Sequence, residues 1–206
     1  SASHVLRQHP EWFMTSSDGI DLGSTSLNGI NLVRRGVEGR YLSPGIPEVR
    51  AHIVGIIEEL VENYDLDGVH LDYVRYPGTD YDYNLISRAE FVRKHRFDPK
   101  ELLSDRSQRS MEGSDMLGLR TWNRWRTEQV SILVTEIRKA INQRKPWIKL
   151  SAAVKPDFHR AYYQYGQDWL NWINRQTLDF VVPMAYVRSV DSFSSQLRQI
   201  QKYVKK

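Results

Sequence analysis

The sequence predicts an α/β fold of the (β/α)8 barrel type, present here as a partial barrel. Three observations predict it. Helix-period and strand-sized apolar segments alternate in the order helix, strand, long connection, helix, strand, helix, strand, helix, which is the pattern of a parallel sheet with crossover helices. Only three core strands are readable in 206 residues, whereas a complete eightfold barrel takes ~250. Both ends of the chain stop where another strand would be expected.

The elements follow from local signals. Up to about Pro44 the chain is polar and irregular, with turn signals at Asp18-Gly19, Asn28-Gly29 and Gly36, and residues 30–42 suggest a short hairpin. A helix is predicted over 47–64, because Pro47 suits a first turn and Val49, Ile53, Ile56, Ile57, Leu60 and Val61 recur at helical spacing. Val69–Val74 reads as a strand. Residues 78–120 are charged, Tyr-rich at the start and Ser/Gly/Met-rich at the end, and read as an insertion or long loop at the barrel mouth, with fast amide exchange expected over 98–118. A second long helix is predicted over 121–143, its inner face formed by Val130, Leu133, Val134, Ile137 and Ile141. Ile148–Val154 and Phe180–Met184 complete the strands. Between them Gly166–Asn174 reads as a helix, and Asp191–Val204 as a last helix capped by Asp191 with Phe193, Leu197, Ile200 and Val204 inside. The whole is read as one domain, residues 1–206. The three strands are expected to be parallel neighbours with the two long helices outside.

Composition narrows the functional classes. A hydrophobic content of 40% and a charged content of 26% fit a globular domain with a sizeable core, and no run approaches the ~18 apolar residues of a membrane span. Zero cysteines exclude disulfides, thiolate metal sites and a thiol nucleophile. The net charge is +4, but the basic stretch from Arg88 to Arg126 is interleaved with Asp98, Glu101, Asp105, Glu112 and Asp115, so it reads as a solvated surface rather than a nucleic-acid patch. No nucleic-acid partner is expected. The six histidines show no metal-ligand spacing, and hydrolase elbows, phosphate loops and HExxH are missing, so neither metal nor cofactor is expected.

The chemistry concentrates in DLDGVHLDYVRYP, Asp65 to Pro77. Strand parity puts Val69, Leu71 and Tyr73 on one face and His70 with Asp72 on the other, with Asp72 near the C-terminal end of the strand. In a parallel α/β barrel that end carries the chemistry. An acid flanked by apolar residues is costly to bury without a partner, so the competing structural reading is an ion pair with Arg75 or a barrel lysine. His70 either bonds the carboxylate or a substrate hydroxyl, or is a satisfied core histidine. Arg75 and Tyr76 leave the strand into the loop and are candidate substrate contacts, as are Met184 and Tyr186 at the end of the third strand. Lys155 and Asp157, just after the second strand, are candidates for an electrostatic partner and a second acid. Asp157 before FHR also suits a loop cap. Asp80 and Asp82 are further acids in the insertion, and the tryptophans read as packing.

Four segments resemble the glycosyl-hydrolase-like 10 family. RYLSPGIPEVR (40–50) is similar to its LNPG-x-PEVR segment, and NYDLDGVHLDYVRYP (63–77) to its YD-x-DGIH-x-D…YP signature. RKPWIKLSAAVKP (144–156) resembles its KPW strand, and LDFVVPMAYV (178–187) its DY-x-x-PQ-x-Y strand. They stand in the family's order. The resemblance implies about strands 4–6 of the barrel with their helices, a chain beginning after the third strand and ending after the sixth helix. It implies hydrolysis of a bacterial polysaccharide, peptidoglycan glycan strands above all, in the cell envelope, periplasm or outside the cell. Glycoside hydrolysis takes an acid and a second carboxylate, for which the resemblance offers Asp72. Two positions depart from the pattern: Tyr73 stands where many members carry a second consecutive acid, and Ser43 replaces the Asn of the LNPG turn. A barrel that binds glycan without cutting it is therefore the alternative. Val74 stands where a chitinase-type barrel has its glutamate, which disfavours that mechanism.

Overall fold

The computed structural model describes residues 2–27, 29–104 and 113–204. In chain order the helices are α1 (Ala2–Gln8), α2 (Gly29–Arg34), α3 (Pro47–Asn63), α4 (Leu85–His95), α5 (Glu101–Ser104), α6 (Gly113–Arg144), α7 (Phe158–Tyr165), α8 (Trp169–Asn174) and α9 (Val190–Val204). The strands are β1 (Gly68–Leu71), β2 (Lys149–Val154) and β3 (Phe180–Pro183). The chain divides into two compact units, Ser1–Arg50 with Tyr76–Arg126, and Ala51–Arg75 with Thr127–Lys206. The predicted insertion thus falls with the N-terminal segment. Part of the stretch expected to exchange fast, residues 105–112, lies outside the described residues.

The first unit is built on aromatic packing. Tyr83, Phe91, Trp122 and Trp125 form its buried cluster, with the two indoles stacked at 5.0 Å and Phe91 edge-on to both. Asn84 caps α4 by accepting from Ile86 N–H, while its amide donates to the carbonyls of Glu11 (2.7 Å) and Phe13 (2.8 Å). The irregular N-terminal segment is thereby stitched to the start of α4, and it buries Phe13, Met14 and Leu22. The hairpin expected over residues 30–42 does not form. Gly29–Arg34 is a helical turn ended by Gly36 at φ +68°, so local helical bonding takes the place of a strand pair that would have had no sheet to join. Gly45 is fixed by close approach, since a Cβ there would lie 2.5 Å from Ser87 Oγ and 2.9 Å from Trp125. Within the basic stretch Arg88 pairs with Asp98 and Arg93 with Glu90, and Arg126 is buried over the Tyr76 ring at 4.2 Å with its guanidinium donating to Gly78 O (2.7 Å), whereas Lys94, Arg96, Lys100, Arg120 and Arg124 are exposed, as a solvated surface requires.

The second unit carries the sheet. β1, β2 and β3 are parallel in the order β1-β2-β3, with His70 beside Ser151 and Ser151 beside Phe180 in register. The parallel arrangement is the expected one, because helix-long crossovers return each strand in the same direction. Leu71, Leu150, Ala152 and Val154 on one face are buried together with Ile57, Val61, Val134, Ile137 and Ile141 of the helices. Arg144 of α6 pairs with Glu58 and Glu62 of α3. On the other face Phe180 is half-exposed and His70 and Val182 are exposed.

Several boundaries depart from expectation. β1 ends at Leu71 rather than Val74, because Tyr73 takes a left-handed conformation, φ +55°, and the ladder cannot continue through it. α6 starts at Gly113, eight residues before the predicted 121. Residues 166–174 are not one helix: Gly166 at φ +70° closes α7, and α8 starts at Trp169. α9 starts at Val190, and its first turn is capped by Ser189 Oγ accepting from Ser192 N–H (3.2 Å), not by Asp191. Of its expected inner face Ile200 is buried, whereas Phe193 and Leu197 are partly exposed. Trp147 is exposed, unlike the other tryptophans expected to pack.

One side chain sets the start of β3 against β2. Asp179 Oδ2 accepts from Leu150 N–H (2.7 Å) while Asp179 N–H donates to Leu150 O (2.8 Å), and Arg138 and Lys149 both pair with the carboxylate. Partial burial opposes ionisation of Asp179, but the Leu150 N–H and the two cations outweigh it and hold its carboxyl below the usual range. A depressed folded value contributes stability above the unfolded carboxylate range, and that stability is lost as pH falls through the folded value. Asp179→Ala should therefore cost about 1–3 kcal/mol at pH 7, with the gap from wild type narrowing on acidification. Urea melts at neutral and acidic pH would show it; a gap constant with pH would count against this origin.

Candidate functional site at the strand ends

The site is assembled in the second unit where β1 and β2 end. Asp72 is the first residue beyond β1 and is exposed. Its Oδ1 accepts from Tyr73 N–H at 2.8 Å, and no ion pair to Asp72 is present among the described residues, so the pairing with Arg75 or a lysine that competes with a functional reading is not found. The turn at Tyr73 is closed by Arg75 N–H donating to Tyr73 O (2.7 Å). Since the ladder stops at Leu71, strand parity no longer dictates the direction of the Asp72 side chain. His70, inside the ladder, bonds Ser151 Oγ through Nδ1 at 2.8 Å on the neighbouring strand.

Two of the sequence-predicted residues meet on one ring. The Arg75 guanidinium lies 5.4 Å from the Tyr165 ring centroid and 5.1 Å from that of Tyr73, and the Lys155 ammonium lies 5.1 Å from Tyr165. Arg160 joins them at 5.9 Å. Cations over an aromatic face are held by the ring quadrupole, so the loops after β1 and β2 are drawn to a common centre. Behind it lies Gln167, fully buried. Its Oε1 accepts from Lys155 N–H (2.9 Å), and its Nε2 donates to Ala153 O (3.0 Å) and at 3.5 Å to Val74 O.

Asp157 caps α7, its Oδ1 accepting from Arg160 N–H at 2.7 Å, and it is exposed. It also lines a cavity of about 330 Å³ with Pro156, Phe158, His159, Gln199, Lys202 and Tyr203. Met184 follows β3, half-buried, with its N–H donating to Val154 O (2.8 Å); Tyr186, two residues on, is almost fully exposed. Tyr76 is not at this surface. It belongs to the first unit, is fully buried, and donates its hydroxyl to Arg126 O (3.1 Å), so it offers nothing to a ligand from solvent.

The two insertion acids also lie in the first unit. Asp80 is exposed, and its carbonyl accepts from Ser17 N–H. Asp82 is wholly buried. Burial pushes its carboxyl above the usual range, against the opposing pull of the Ser43 and Ser87 hydroxyls and the Asn84 and Thr15 N–H groups that donate to it. Among the described residues of the second unit Asp168 is the carboxyl held above its ordinary range, by partial burial first, with Asn171 and Arg175 opposing. The sequence pattern gives no signal for Asp168, Tyr165 or Gln167, because the Gly166 turn between α7 and α8 stands where the pattern predicts the start of a single helix. Among the described residues no group of three His, Asp or Glu side chains is placed to hold a metal ion, and no helix is long and apolar enough to cross a membrane.

Comparison with known proteins gives a consistent set of likenesses. The sequence pattern of the family described as Glycosyl hydrolase-like 10 matches residues 1–206. The chain is 27% identical over 201 residues to the glycosyl hydrolase YngK of Bacillus subtilis, covering 90% of this chain and 32% of that protein. It is 24% identical to the glycosyl hydrolase DigH of Escherichia coli K12, covering 88% and 35%, and 27% identical over 145 residues to an S-layer-related protein of Niallia circulans, covering 63% and 8%. The chain thus spans about a third of the length of the two hydrolases. In fold it is similar to the PgaB (BpsB) glycoside hydrolase domain of Bordetella bronchiseptica, with TM-score 0.62 and 15% identity over 93% of this chain and 51% of that one.

Proposed function

The chain belongs to the Glycosyl hydrolase-like 10 family, and from that premise we propose that it is a glycoside hydrolase acting on a bacterial polysaccharide, the glycan strands of peptidoglycan, by carboxylate acid–base catalysis. The observation that carries the reading is Asp72: an exposed carboxylate without an ion-pair partner among the described residues, one residue past the C-terminal end of a parallel strand. The arc β1-β2-β3 is read as three neighbouring strands of an eight-stranded barrel, a reading supported by the likeness to a glycoside hydrolase domain. In this reading Asp72 supplies one of the two carboxyl functions, and Asp157 or a residue outside these 206 supplies the other. Arg75 and Lys155 set a positive field beside the reacting bond. His70 and Tyr186, with Met184, contribute to the wall of the mouth. The family and the S-layer-related relative support a place in the cell envelope, periplasm or outside the cell.

A specific observation favours one competing reading, a barrel that holds glycan without cutting it. Tyr73 occupies the position next to Asp72, and Asp157 already spends an oxygen on capping α7. Release of reducing ends from peptide-free peptidoglycan strands separates the two. A complete-barrel form carrying this segment should release them, and Asp157→Asn should lower the rate if Asp157 is the partner acid. Saturable binding of the strands with no release of ends would transfer the assignment to the binding protein.

A further inference from the structure

We infer that the cavity between α7 and α9 is a subsite for one neutral pyranose residue, an assignment that rests on the glycan-acting reading and names what this part of the surface holds. At about 330 Å³ the cavity lies at the small end of the ~300–1,000 Å³ that ligand sites occupy, the size for a single ring rather than a chain. Two of its walls are aromatic. The Phe158 and Tyr203 rings are 5.8 Å apart and inclined at 44°, so they form a splayed pair rather than a closed stack, and they offer apolar surface to the C–H face of a sugar.

Apart from Pro156 the remaining walls are polar, and most of their hydrogen-bonding capacity is open. Of the carboxylate of Asp157, Oδ1 is engaged, by Arg160 N–H. His159, Gln199 and Lys202 make no side-chain hydrogen bond or ion pair among the described residues. Together they present acceptors (Asp157, Gln199 Oε1) and donors (Lys202, Gln199 Nε2) around the rings, with the His159 imidazole able to serve as either. A pyranose ring meets that need, because each of its hydroxyls both donates and accepts. The one carboxylate and the one ammonium of the lining cancel, so the cavity carries no net charge that would favour a sugar acid or an amino sugar over a neutral ring.

Chitotetraose, a neutral N-acetylglucosamine oligomer, is the probe, titrated into the 206-residue protein by calorimetry and by chemical-shift mapping. Saturable binding is expected, weakened about tenfold by Tyr203→Ala and severalfold by Gln199→Leu or Lys202→Met. Its Kd should move by less than about twofold between low and high salt, since no net charge is matched. Neither the cationic glucosamine tetramer nor an anionic oligogalacturonate should bind more tightly than chitotetraose, and a clear preference for either would overturn the neutral-ring assignment. No saturable binding by the wild type overturns the subsite, as does full binding by all three variants with native circular dichroism. Lys202→Met alters an exposed side chain without a hydrogen-bond or ion-pair partner among the described residues, so its result stands even if Tyr203→Ala fails to fold. Cleavage of peptide-free strands by the complete-barrel form, measured in parallel, keeps the two proposals apart: binding without cleavage sinks the hydrolase and leaves the subsite, and cleavage without chitotetraose binding does the reverse.

Discussion

Asp72→Asn should lower the rate of strand cleavage by about 10²- to 10⁴-fold or more while leaving the thermal midpoint nearly unchanged. General acid–base assistance alone is worth ~10²–10⁴, and a carboxylate that also acted as nucleophile would add to this. The fold should survive because Asp72 is exposed, it accepts a hydrogen bond from the adjacent Tyr73 N–H, and the amide oxygen of Asn can accept the same bond. The two measurements together are diagnostic: rate lost with stability kept marks a group that acts on substrate, whereas rate and stability lost together mark a structural residue. A folded Asp72→Asn protein that cleaves at the wild-type rate would remove Asp72 from the mechanism.

The largest stability effect is expected at Asp82. Asp82→Ala would strand four donors, the Ser43 and Ser87 hydroxyls and the N–H groups of Asn84 and Thr15, in a site without solvent. Stranded buried donors cost about 1–3 kcal/mol each, and the hydroxyls can turn to one another, as their 2.7 Å separation already allows. A net loss of about 3–5 kcal/mol follows for the first unit. Asp82→Asn keeps the shape and should cost less. The pH dependence separates charge from shape: burial raises the folded carboxyl above its unfolded value, so the stability linked to its protonation is present at low pH and is lost as pH rises through the folded value. Wild type should therefore gain on Asp82→Asn as pH is lowered from neutral. A difference independent of pH would mean that Asp82 is ionised or neutral equally in both states.

What was legible in the sequence is what rests on long periodicity. The α3 helix declares itself through Pro47 and a sustained 3.6-residue apolar pattern, and it ends within one residue of the expected place. The three parallel strands are readable as short apolar segments set between helix-long ones. Where a single backbone conformation decides, the pattern is silent. Nothing in HLDYVR distinguishes a six-residue strand from a four-residue one, because alternation runs on past the point where Tyr73 turns left-handed. α7 was missed because its short aromatic run carries no long repeat, although Asp157 three residues before Arg160 and Gly166 at the far end are its cap and its stop. At the site, Asp72, Arg75 and Lys155 could be placed from their position after strands. Tyr165 and Gln167 could not, since their importance lies in what they touch from 10 to 93 residues away along the chain.

The reach of Gln167 also bears on how this surface can be rewritten. Its three contacts, to Val74 O, Ala153 O and Lys155 N–H, are all with main chain, so the geometry it holds is indifferent to which side chains those positions carry. A library that randomised residue 155 could therefore alter ligand preference over a fixed backbone, provided proline is kept from it, since its N–H is required, whereas the buried Val74 must stay apolar. Position 167 itself would tolerate almost nothing, since Glu lacks the donor and Leu lacks both donor and acceptor. For anyone redesigning specificity here, the frame and the letters written on it are separable, and the frame hangs on one amide.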